Sequence, residues 1–152
     1  MQKLFKLVSL LFALLFVSNV YAAEIEVIGV WGHATAPGQD SASFDLHIRS
    51  EHAATLVGVS SPLSKSAEIH SMYEDAGVMK MREVKTLDLP AGKITDLSSM
   101  HHHLMLIGLT APLKAGESVP MTLTCKLANG ELIKVEAKAT IKHEHHQHHM
   151  VK

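Results

Sequence analysis

Apolar residues recur at every second position in segment after segment of this chain, and that period of two commits it to sheet. Phe44, Leu46 and Ile48 alternate with Asp45, His47 and Arg49. Met121, Leu123, Cys125 and Leu127 alternate with Thr122, Thr124 and Lys126, and Ile133, Val135, Ala137, Ala139 and Ile141 with Lys134, Glu136, Lys138 and Thr140. A strand so written has one apolar face and one polar face. Further strands are expected at 25–31, 55–60, 67–72, 79–84 and 103–109. Between them lie turn signals at 36–40, Ser61-Pro62, 75–77, 90–92, Ala115-Gly116 and Asn129-Gly130.

No stretch keeps a helical period. Short strands with turns every eight to twelve residues predict an all-β fold, an antiparallel Greek-key β-sandwich of the immunoglobulin-like or cupredoxin-like kind. Cys125 stands alone and cannot form an internal disulfide; its place in the alternation puts the sulfur on the apolar face, as a buried structural thiol.

Residues 1–22 read as a secretory signal: Lys3 and Lys6, an apolar run from Leu7 to Val17, then Val20-Tyr21-Ala22 with residues suited to a cleavage site. A run of eleven residues, ten of them apolar, cannot cross a hydrocarbon layer that needs about 20, so no membrane anchor is expected after cleavage. No cysteine lies near the cleavage site, which argues against a lipidated N-terminus. The expected location is the periplasm, with residues 23–141 as one domain and 142–152 as a His-rich flexible tail. With 14 Lys and Arg against 15 Asp and Glu, and 5% aromatics, the 152-residue chain has no electrostatic footprint for nucleic acid.

What the fold does not need is 12 histidines and 8 methionines. His103 and Met105 are two apart on an expected strand, so both side chains leave one face, with Cα atoms about 6.6–7 Å apart. His70 is expected to end its strand, and Met81 follows the turn at Gly77, so a hairpin would bring them together as a second arm. Imidazole mixed with thioether disfavours hard cations and points to a soft ion, Cu(I) above all. Taken singly, a methionine in a strand fills a core and a histidine at a strand end is solvated. Taken together, with Leu104, Leu106 and Ile107 already available for the core, the four read as ligands.

The run His70, ten residues, Met81, twenty-one residues, His103-x-Met105 resembles the ligand signature of the periplasmic copper chaperone family PCuAC. Ala67-Glu-Ile-His70, Gly77-Val-Met-Lys-Met-Arg82, Leu89-Pro-Ala-Gly92 and Pro112-Leu-Lys-Ala-Gly116 resemble it too, and the likeness spans Ile25 to Ile141. It implies a cupredoxin-like β-sandwich that binds Cu(I) through His70, Met81, His103 and Met105. It also implies delivery to the dinuclear copper centre of cytochrome c oxidase, alongside a Sco-type thioredoxin-like partner. The chain departs from the family where a Pro-Gly-Gly type turn would stand: Ser98-Ser-Met100-His101-His102 adds three candidate ligands, and His101 is placed to replace or supplement His103. Met72 and Met79 are further candidates nearby.

The C-terminal His143, His145, His146, His148, His149 and Met150 offer imidazoles to Cu(II). His33, His47 and His52 read as solvated. A blue-copper electron carrier would need a cysteine ligand, and Cys125 faces the core. A copper oxygenase using its N-terminal amine would begin on histidine, and the expected mature start is Ala23. No nucleophile triad, paired-carboxylate cleft or phosphate loop stands out, so the chain reads as a carrier rather than an enzyme. Storage or resistance without a delivery target is the alternative that shares the same ligands.

Overall fold

The alternation becomes one curled sheet of ten strands. The computed structural model describes residues 24–98 and 101–143. Its elements are β1 (Ile25–His33), β2 (Ser41–Ser50), β3 (Ala54–Ser60), β4 (Ser64–Asp75), β5 (Val78–Val84), β6 (Leu87–Leu89), β7 (Ile94–Leu97), β8 (His102–Leu109), β9 (Ser118–Leu127) and β10 (Leu132–Lys142). No helix occurs among the described residues. The strand order is β5-β4-β8-β2-β1-β10-β9-β3-β6, with β7 also paired to β2.

The apolar faces close on each other as the pattern requires. Phe44, Leu46 and Ile48 are fully buried and meet Leu104 and Leu106 of β8, Met121, Leu123 and Cys125 of β9, and Ala139 and Ile141 of β10 in a single core cluster. Cys125 is completely buried, and burial pushes its thiol up to about 11, so it takes no part in exposed chemistry.

The sheet is mixed rather than wholly antiparallel, because β1 pairs with β10 in parallel, Trp31 opposite Thr140 and His33 opposite Lys142. A strand's alternation records which face is buried and not which strand lies beside it. β6 and β7 also escape the sequence pattern, since three and four residues are too short to show a period. β4 does not end at His70 but runs on to Asp75, because its outer half is paired on one side by β5 along its whole length. The β4–β5 hairpin closes through Ala76 and Gly77, both at positive φ (51° and 78°), the two-residue turn whose twist matches the strands.

Gly32 marks a close approach. A Cβ there would lie 2.7 Å from the ring of the fully buried Phe44, and Phe44 has no free space to retreat into. Gly32→Ala is expected to lower unfolding stability by about 1–3 kcal/mol. Urea denaturation checks this, with an unchanged midpoint as the contrary result.

Candidate metal centre

The site lies on the polar face of three neighbouring strands, β5, β4 and β8. Ile69 of β4 opposes Leu104 of β8, both buried, and this pair turns the adjacent residues outward. His70 stands directly opposite His103. On one side of that pair Glu68 opposes Met105, which also faces Ser43 of β2. On the other side Met72 opposes Met81 of β5. Residues opposed in an antiparallel ladder share a face, and diagonal neighbours lie about 7–8 Å apart. His70, Met81, His103 and Met105 therefore occupy one face, with Met81 diagonal to His70 rather than beside it.

The two rings are 5.6 Å apart between centroids and inclined at 63°. An imidazole nitrogen binds a metal at about 2.0 Å, so the centres of two rings sharing one ion stand no more than about 6 Å apart. Each ring keeps a buried Nδ1 with no hydrogen-bond partner. Buried polar atoms are nearly always paired, and two orphans in opposed rings mark a place where an ion would supply the missing interaction. Among the described residues no three His, Cys, Asp or Glu side chains are grouped to hold a metal. A site of higher coordination here would draw on thioethers.

The methionines divide by environment. Met121 is 1% exposed and fills the core, whereas Met79 and Met81 are 54% and 55% exposed on β5. Half-exposed thioethers contribute little packing, so the core-filling explanation fails for these two. Met72 and Met105 are half-buried.

His101 lies in an exposed turn, where its carbonyl accepts the Met72 amide at 2.7 Å and so prolongs the β4–β8 ladder. His102 pairs with Ser71 and alternates away from His103. His103, 3% exposed and opposed to His70, is the residue of the three that the ladder brings to the pair. His143 is exposed at the end of β10. Met100, His145, His146, His148, His149 and Met150 lie outside the described residues, as do residues 1–22. His33 and His52 are exposed, and His47 Nε2 lies 3.1 Å from Asp96 Oδ1 while its ring meets the Trp31 ring edge-on.

Two carboxylates at the site were not singled out in the sequence. Glu68 Oε2 lies 2.7 Å from His70 Nε2. Two-residue spacing on a strand puts them on one face, a signal the sequence does contain. Asp45 of β2 acts on His103, a relation that only the β2–β8 pairing reveals.

Burial holds the His103 imidazole below its ordinary 6.5, His70 and His102 add to the depression, and Asp45 opposes it. The unfolded chain therefore takes up this proton at a higher pH than the folded one. Stability from His103 is complete above about 6.5 and is lost as pH falls below it toward the lower folded value. Metal-free protein is expected to lose stability over that interval, and the slope should be smaller in His103→Leu. Thermal melts across pH 5–7.5 test it, and identical slopes would contradict it.

A family model described as LpqE-like matches residues 25–139. A relative from Leifsonia xyli subsp. xyli, Lxx21020, called a lipoprotein in its name, is 32% identical over 103 residues. That match covers 67% of this chain and 62% of the relative, so the chain spans less than two thirds of that protein. The apo PCuAC domain from PmoF1 shares the fold at a TM-score of 0.65, with 23% identity, over 80% of this chain and 96% of that domain. Apo-DR1885 from Deinococcus radiodurans is 30% identical, with a TM-score of 0.58 over 82% of both chains, and its CuI form superposes at 0.54. The β arrangement is thus the cupredoxin-like one.

Proposed function

The chain belongs to the LpqE-like, or PCuAC, family, and on that premise we propose that it is a copper chaperone. It carries Cu(I) in a cradle of His70, Met81, His103 and Met105 and yields it to the dinuclear copper centre of cytochrome c oxidase. The observation that carries this reading is the pair of opposed imidazoles with two buried, unpartnered Nδ1 atoms, flanked on the same face by thioethers. Neutral nitrogen and soft sulfur together favour the cuprous ion. The 30% identical DR1885 has a CuI form, which supports the same choice.

Four neutral ligands leave the bound ion with its single positive charge. They include no thiolate, which suits holding copper reversibly in an oxidising compartment. Release proceeds by ligand exchange: an incoming donor on a partner approaches from the β5 side, where Met81 is half exposed, while the less exposed imidazoles of His70 and His103 keep the ion until exchange is complete. No bond of a substrate is made or broken, so the chain acts as a carrier. A Sco-type thioredoxin-like protein is the expected companion at the oxidase. The apolar leader at 1–22 and the lipoprotein name of the Leifsonia relative support export to the periplasm. The five histidines between 143 and 149 form a separate Cu(II)-binding segment.

X-ray absorption of the Cu(I) form is expected to show nitrogen and sulfur scatterers together. Met81→Leu and Met105→Leu should each remove sulfur scattering and weaken Cu(I) binding by about tenfold or more. Unaltered affinity in both variants would refute the cradle. Cu(I)-loaded protein mixed with the metal-free copper domain of the oxidase should lose its copper to it; retention would favour storage. Ending the chain at Ile141 should reduce the number of Cu(II) ions bound while leaving one Cu(I), and an unchanged Cu(II) count would end the role of the tail.

A further inference from the structure

We infer that Glu68 sets the tautomer of His70 and thereby selects Nδ1 as the nitrogen offered to the metal, an inference that rests on the copper reading above. Glu68 and His70 project from the same face of β4, two residues apart, and Oε2 lies 2.7 Å from Nε2. An ionised carboxylate can only accept a hydrogen bond, so the proton of the neutral ring resides on Nε2. The lone pair is left on Nδ1. That atom is buried without a partner, in a ring opposed to His103, whose own Nδ1 is likewise buried and unpartnered.

Among the described residues no lysine or arginine pairs with Glu68, so its carboxylate is directed to His70 alone. Glu68 is therefore a positioning residue. It orients the ring and fixes which nitrogen is free, as carboxylates do behind metal-bound histidines. Its place opposite Met105 also puts it at the wall of the cradle, where it limits rotation of the His70 ring.

The test uses the full chain with 15N-labelled histidine, metal-free at pH 8, in three forms: wild type, Glu68→Ala and Glu68→Gln. Long-range 1H–15N spectra of the imidazoles report the tautomer without copper. Wild type should show His70 protonated on Nε2, Glu68→Ala a mixture, and Glu68→Gln, whose carbonyl still accepts, the wild-type form. Competition with a chromophoric Cu(I) chelator should then give an affinity about 10–100-fold weaker for Glu68→Ala, recovered in large part by Glu68→Gln. Thermal melts verify that the variants fold.

A proton on Nδ1 in wild type, or a tautomer indifferent to Glu68→Ala, overturns the inference even if copper binds as proposed. A changed tautomer with unchanged affinity also overturns it. Failure of the wild type to bind Cu(I), with the tautomer changing as expected, would instead strike the copper reading while leaving the control of His70 by Glu68 intact.

Discussion

The antiparallel register of β4 against β8 is the constraint on which the rest depends. It is held by backbone hydrogen bonds, and it sets His70 opposite His103 only because Ile69 and Leu104 meet one step away on the buried side. A slip of one residue would turn an imidazole into the core and a leucine into water. The polar face inherits its geometry from the apolar one. Neither histidine needs a special loop or strained backbone to reach the other, since the ladder delivers both at a fixed spacing.

Much of this was legible in the residues. Alternation in β2, β9 and β10 gave the buried face residue by residue, down to the single thiol at Cys125. The two-residue spacing of His103 and Met105 placed them on one side of a strand, and the turn at Gly77 announced the hairpin that carries Met81. Partnership was not legible. The parallel contact of β1 with β10 joins segments more than a hundred residues apart, and nothing local encodes it. The same blindness hid Asp45, which reaches His103 only through the β2–β8 pairing, and the fact that Met81 faces Met72 rather than His70. Glu68 was visible in principle, two residues before His70, yet a carboxylate on a half-buried strand has many uses until its distance to a ring is known.

The environments of the sulfur atoms sort them by role. Met121 and Cys125 are sealed among aliphatic side chains, where burial keeps the thiol protonated. Met79 and Met81 stand half in water on a strand with almost no buried residue, which is poor use of an apolar side chain in a body whose core is already filled by leucine, isoleucine and phenylalanine. The fold does not require them there. On the copper reading proposed above, their placement would reflect what a soft donor offers an ion, with the imidazoles of His70 and His103 supplying the depth that exposed thioethers lack.

Because β5 is hydrogen-bonded on one side only, at the margin of the sheet, it can part from β4 at a lower free energy than any inner strand can leave its neighbours. Three members of the proposed cradle ride on inner strands and the fourth on this margin. Fraying of the hairpin would therefore withdraw one sulfur while the body stays folded, so that, if the proposed cradle holds copper, the lifetime of the loaded state would be set by a local opening, tunable there without touching global stability.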